Sequence, residues 1–434
     1  MLRRQMNLSL AWPLTLALIG LVLWCVSPVS LYADKQKKAT PAAPEKPGQQ
    51  RVKGYFDISK IVWPNPPAIA RIKFLDLFTG EKIDSKMFAK EKSKHKWMDR
   101  LAGQQDTDEI KITSLPFQLI RTYGVGVDSR GRIYAADQAV GAVFIFDPAN
   151  RDNVELIGNG RQANFAAIVG VALDDNDRLF VSDAKLHRVL AFNVKHEQEA
   201  SIGMDELVRP GGIALDRENR FLYVVDTGQD VIDVFDADTF RLLRQIGKPS
   251  KKHNQTDPGT FSLPECVAVD KDGNVYVSDT FNNRVEIFDA DGRFVSMFGK
   301  NGDGPADLQR PKGIAVDGDG HIWVVDDAQD RVKVFNDKGR LLIYMGDHGY
   351  YPGQFMGAWG IAVDQFNRVI VSETFPGRVQ MFRYVTDAEA AAEKAKREGG
   401  EQNSAGTAVG QQKAPGQQAA QGASAPANKD SARQ

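Results

Sequence analysis

The sequence predicts an all-β protein, a six-bladed β-propeller, on three observations. One phrase recurs six times, it recurs at the interval of a four-stranded blade, and the last copy lacks a strand that a segment ahead of the first copy supplies. The copies read GVGVDSRGRIYAADQAVGAVFIFD from Gly124, GVALDDNDRLFVSDAKLHRVLAFN from Gly170, GIALDRENRFLYVVDTGQDVIDVFD from Gly212, CVAVDKDGNVYVSDTFNNRVEIFD from Cys266, GIAVDGDGHIWVVDDAQDRVKVFN from Gly313 and GIAVDQFNRVIVSETFPGRVQMFR from Gly360. Their starts lie 46, 42, 54, 47 and 47 residues apart, close to the roughly 40–50 residues of one blade.

From the N-terminus, Arg3 and Arg4 precede the apolar run AWPLTLALIGLVLWCV. A positive flank before such a run predicts export, with residues 1–33 as a signal peptide or signal anchor and residues 8–31 as the stretch that would hold a membrane. Ala33 ends a cleavable-looking LYA; uncleaved, the two arginines would keep the N-terminus inside. Bulky Leu23 and Trp24 before Cys25 argue against lipid attachment there. After cleavage only Cys266 remains, so the mature chain has no intramolecular disulfide even in an oxidising compartment. The expected location is periplasmic or extracellular, with or without an N-terminal anchor.

Residues 34–70 read as a Pro- and Lys-rich linker, extended over 35–50. The ring then spans 71–384. Each copy supplies an inner strand ending in Asp, a turn, an alternating second strand such as NVYVSD, a third such as RVEIFD and a fourth ending in Gly, such as RLLRQIG, FVSMFG or LLIYMG. The sixth copy instead runs into TDAEAAAEKAKREGG, helical or disordered in composition, whereas RIKFLDLFTG at residues 71–80 has the pattern of a fourth strand. That segment is expected to complete blade six, which closes the ring and removes an exposed edge. A basic, weakly amphipathic helix is expected at about 84–103, either resting on the propeller or touching an anionic surface. Residues 385–434 read as a short helix followed by a disordered Ala-, Gln- and Gly-rich tail from Gly399.

These phrases resemble the NHL repeat, whose unit runs approximately P-x-G-I-A-V-D, a turn, I-Y-V-A-D and R-V-x-V-F. The lead-in VWPNPPAIARIKFL is similar to that of exported bacterial NHL proteins. The resemblance implies an interaction module, a protein-binding or assembly scaffold in the cell envelope, in some cases beside multihaem cytochromes, and the propeller is expected to be monomeric. This chain has no C-x-x-C-H and would carry no haem of its own.

A net charge of -1 lacks the basic excess of a phosphate-tracking surface, so nucleic acid is not an expected partner. Asp128, Asp174, Asp216, Asp270, Asp317 and Asp364 close the inner strands. A calcium ring is one reading, but turn capping by Asp accounts for all six. A second acid, Asp137, Asp183, Asp226, Asp279, Asp326 or Glu373, ends each second strand, and Arg188, Arg284, Arg331 and Arg378 follow four of these at pairing distance in sequence.

Positions that break the repeat are better site candidates. The residues just before the inner strands are Tyr123, Val169, Gly211, Glu265, Lys312 and Trp359. Blade order sets Trp359 beside Tyr123 and Glu265 beside Lys312 at the channel mouth, although the two aromatics could equally plug the ring. The loops between second and third strands add Lys185, His187, Phe281, Asn282 and Phe375. The expected binding set is therefore Tyr123, Glu265, Lys312, Trp359, His187, Phe281 and Phe375, with no catalytic residue, metal ligand or cofactor. The alternative is a metal-dependent propeller enzyme, similar to lactonases or amidating lyases, acting at the mouth. Against it, none of the six histidines falls on an inner strand or matches another across blades, and Glu265 is the lone candidate ligand near the inner strands.

Overall fold

The structure, a computed structural model, describes residues 58–80, 118–151, 153–158, 163–250 and 257–408. The apolar run at 8–31, the linker to residue 57, the basic stretch at 84–103 and the chain beyond 408 lie outside these residues. Among the described residues no helix is long and apolar enough to cross a membrane.

Period-2 alternation produces one antiparallel meander per repeat. Blades one to five span 122–158, 168–202, 210–246, 264–298 and 311–345, each as a four-stranded sheet in chain order. Blade six takes Ala358–Val363, Arg368–Glu373 and Arg378–Tyr384 from the C-terminal side. Its fourth strand is Ile72–Phe78, paired antiparallel with Arg378–Tyr384, so the ends of the domain lie in one sheet. Val62–Trp63 adds a short fifth strand, so ordered structure begins before the Arg71 boundary read from composition.

Second and third strands are buried along their whole length in blade one, Ile133–Asp137 and Ala142–Phe146, because each faces a neighbouring blade on both sides. The core consequently lies between blades. Ile72 and Phe74 pack with Trp323, Val332, Phe382 and Tyr384 in a cluster joining blades five and six, which is what holds the closing strand. Inner strands touch in sequence around the axis, the sixth against the first. Glycine permits that approach: a Cβ on Gly124 would lie 2.4 Å from the Val169 carbonyl oxygen, and one on Gly313 2.4 Å from that of Trp359.

Among the described residues one α-helix, α1, spans Asp387–Ala408 and passes the Gly399 at which composition places the start of the tail. Thr386 and Glu389 form a reciprocal capping box at its start. Arg71 of the closing strand donates to the Tyr384 hydroxyl at 2.9 Å and pairs with Asp387, and Arg397 donates to the Pro67 carbonyl at 3.2 Å. The helix therefore fastens the closure rather than adding a separate unit.

Candidate functional site

The ring has two unlike faces. On the bottom face, all six inner-strand aspartates accept backbone N–H bonds within their own turns. Several are also held by a cation. Arg178 donates to Asp174 at 2.7 Å and Arg220 at 3.0 Å. Burial opposes the charge of Asp174, yet these two partners outweigh it and keep its carboxyl below the ordinary range. His321 bonds Asp317 at 2.9 Å, which raises the imidazole above its usual range.

On the top face, the six second-strand acids reach back to the segment entering their own blade. Asp137 accepts from the N–H groups of Ile120 and Arg121 at 2.6 and 2.8 Å, Asp226 from Val208 and Arg209 at 2.6 and 2.9 Å, and Asp326 from Gln309 and Arg310 at 3.1 and 2.9 Å. Asp183, Asp279 and Glu373 do the same for Ala166 and Ala167, Ser262 and Met356. These clamps fix the residues that rim the mouth.

Arginine pairs with the clamp acid at Asp279–Arg284, 3.0 Å, and Glu373–Arg378, 2.6 Å. It does not at the other two expected positions. Buried Lys333, projecting from the middle of the third strand, takes Asp326 at 2.9 Å, while Arg331 turns outward over Tyr344 and Arg188 reaches Met204.

Tyr123, Glu265, Lys312 and Trp359 come together around one cavity of about 520 Å³. They lie within the inner strands rather than before them, next to a register break that recurs between the first few residues of all six. A β-bulge re-aims a side chain, and here it turns these residues toward the axis. The Tyr123 and Trp359 rings meet edge-to-face with centroids 5.2 Å apart, and the Lys312 ammonium stands 3.5 Å from the Glu265 carboxylate. Trp359 is only 4% exposed and packs with Val169, Cys266 and Ile314, so the aromatic pair forms the floor of the mouth. A neck of about 50 Å³ passes Trp359 and Cys266, and below it a hollow of about 440 Å³, with Asp128, Asp174, Arg217 and Asp364 among its lining residues, opens to the bottom face. Burial pushes the Cys266 thiol well above its ordinary pKa, so it is an inert core group.

His187, Phe281 and Phe375 are not part of this cavity. His187 sits at φ +54° in the left-handed turn slot filled by Gly141, Asp230, Asn283, Asp330 and Gly377 in the other blades, with its imidazole against the Val208 carbonyl. It is a turn residue. Phe281 and Phe375 stand outside the mouth, 49% and 54% exposed, with Tyr350 and Tyr351 at 55% and 59%. Tyr350 touches Phe375, centroids 6.0 Å apart. Ion-pairing and stacking thus link the four inner residues, and exposure distinguishes the outer ones.

The lining also contains Gln138, Lys185, Arg209, Thr227 and Leu263. Sequence reading took one rim residue per blade, and in blade three that residue is Gly211. Arg209, two positions earlier, lines the same cavity beside Gly211. A basic residue immediately before the Pro–Gly–Gly of blade three was the available signal.

Among the described residues no group of three His, Cys, Asp or Glu could hold a metal ion. Glu265 is the sole carboxylate in the mouth lining and faces Lys312. The residues present do not fit the divalent centre that a lactonase- or lyase-like reading requires.

These features define the class: a six-bladed β-propeller with a polar, aromatic-floored mouth. Residues 174–299 match the SMP-30/gluconolactonase/LRE-like region, which is less than a third of the chain. No curated protein matches. Among solved structures, the chain is similar to a gluconolactonase from Xanthomonas campestris, with 17% identity, 61% of this chain and 86% of the other covered, and TM-score 0.47. It is similar to virginiamycin B lyase from Staphylococcus aureus at 11% identity, 61% and 95% coverage and TM-score 0.46. A Bacteroides thetaiotaomicron protein of unknown function gives 18% identity, 61% and 70% coverage and TM-score 0.49.

Proposed function

We propose that this chain is an exported, non-catalytic recognition module of the NHL type that docks a protein of the cell envelope through the loop-bearing top face of its propeller. The observation that carries this reading is the group of exposed aromatics outside the mouth. Phe375, Tyr350 and Tyr351 cluster on the loops of blade six, and Phe281 stands on blade four. Aromatics left in water on rigidly clamped loops are the side chains that most often anchor protein interfaces, because they bury much area at little entropic cost. The acids around them are already committed to backbone clamps, so the face presents contact area rather than a reactive centre. The charged flank and apolar run of residues 1–33 support export.

The test is site-specific photo-crosslinking in intact cells. A benzoylphenylalanine at Phe281 or Phe375 is expected to trap one discrete envelope protein, and the same probe at Phe366 on the bottom face is expected to trap none. Identical adducts from both faces, or adducts from neither, would refute the proposal.

A further inference from the structure

Resting on the top face as the recognition surface, we infer that the channel mouth is a pocket for a carboxylate carried on an apolar or aromatic group. The cavity lining holds three cations, Lys185, Arg209 and Lys312, against one carboxylate, Glu265. Glu265 and Lys312 face each other at 3.5 Å. The Lys185 ammonium and the Arg209 guanidinium make no hydrogen bond or ion pair with any other side chain among the described residues, so two positive charges remain uncompensated in a chain whose net charge is -1.

The two sit on neighbouring blades. Lys185 follows the Asp183 clamp in blade two, and Arg209 is held by its own backbone N–H to Asp226 in blade three. In a six-blade ring, blade three lies across the axis from blade six, which places the Arg209 side opposite the part of the floor that Trp359 and Tyr123 form. The mouth is thus divided between a cationic half and an aromatic half.

Concave, low-dielectric walls focus the field of unpaired charges onto what enters. A guanidinium fork and an ammonium reaching one cavity from neighbouring blades offer donors suited to the two oxygens of one carboxylate. A hollow of about 520 Å³ is within the range of pockets that enclose small ligands or a few residues of a peptide. The aromatic floor would take the apolar part, leaving the carboxylate over Lys185 and Arg209. A free metabolite and the C-terminus of a polypeptide present the same chemistry.

The experiment titrates the purified full chain with phenylacetate and with neutral phenylacetamide, read by saturation-transfer NMR. A Lys185→Gln, Arg209→Gln variant is run beside wild type once equal melting temperatures show that it folds, with the exposed single variant Arg209→Gln as a second test. Phenylacetate is expected to bind wild type at least about tenfold more tightly than the amide, and the double variant is expected to lose that preference. Equal binding of acid and amide, an unaltered preference in the variants, or no binding of phenylacetate up to about 10 mM would overturn the inference. Acetylated dipeptides ending in Phe, with free or amidated C-termini, identify the source. A free-acid peptide that outbinds phenylacetate points to a polypeptide end, and the reverse points to a small molecule. The aromatic-loop crosslinks do not involve Lys185 or Arg209, so failure here leaves the docking surface standing, and failure there leaves the pocket.

Discussion

The bottom and top faces of the ring are built from the same repeat but use their acids differently. At the bottom, each Asp closes a turn four or five residues long, the same backbone job six times, with side-chain partners that range from Arg178 and Arg220 on Asp174 to Tyr276 on Asp270 and His321 on Asp317. At the top, each acid ties down a segment entering its own blade, about sixteen or seventeen positions earlier, and its further partners diverge: Arg284 for Asp279, Lys333 for Asp326, Arg378 and Gln380 for Glu373. Repetition therefore marks what any blade needs to fold. Divergence marks where the chain adapts a common frame, and at the top it lies beside the cavity and the exposed aromatics.

The comparison presupposes an intact ring, so the largest effect should come from its closure. Ile72→Asp would bury an unpaired carboxylate between blades five and six, with an expected loss of more than about 4 kcal/mol and of the single cooperative thermal transition. A cooperative melt near wild type would mean that the N-terminal strand is dispensable.

Next comes a direct contrast of faces. Asp326→Ala strands the fully buried Lys333 ammonium and should cost roughly 3–5 kcal/mol in urea unfolding. Asp270→Ala removes only turn and hydrogen-bond caps and should cost about 1–2 kcal/mol. Equal losses would erase the distinction between turn closure and clamp.

The third strands sharpen it. Their third residues are Phe144 and Leu190 in blades one and two, but Asp233, Glu286, Lys333 and Gln380 in the others, all buried. Glu286 accepts from Gly259 N–H at 2.7 Å, and Gln380 accepts from Gly353 N–H at 2.8 Å and donates to the Gln354 carbonyl at 2.7 Å, which anchors the connecting loops. Asp233 has no such loop: one oxygen accepts from Gln245 at 2.8 Å, and the other is buried without a partner. Burial, only partly offset by Gln245, pushes its carboxyl up to about 6 from an ordinary 3.8. The folded state then holds this proton where the unfolded chain has lost it, so Asp233 costs stability as pH rises from about 4 through about 6. Asp233→Asn should stabilise by roughly 1–3 kcal/mol at pH 7 and by almost nothing at pH 4, measured by urea denaturation at both pH values. A stabilisation that is equal at both would assign the effect to something other than this charge.

The blades, their order and the closing strand were all legible, because period-2 alternation and turn chemistry are local and repeat six times. So was the adjacency of Tyr123 with Trp359 and of Glu265 with Lys312, which follows from blade order alone. The bulge was not legible. It depends on how six inner strands crowd around an axis, and in blade three it falls between Pro210 and Ile213, right after the Arg209 that lines the mouth. The backbone role of His187 was not legible either: at φ +54° it is the counterpart of Gly141 and Gly377.

The smallest expected stability change belongs to the surface on which the functional account depends. Phe281→Ser with Phe375→Ser should alter stability by no more than about 0.5 kcal/mol, as exposed substitutions usually do. The decisive measurement is a pull-down from envelope fractions with wild type, this top-face double variant and the bottom-face variant Phe366→Ser, all confirmed to melt alike. The account predicts a discrete partner captured by wild type and by Phe366→Ser but lost from the double variant; the same partner retained by all three would contradict it.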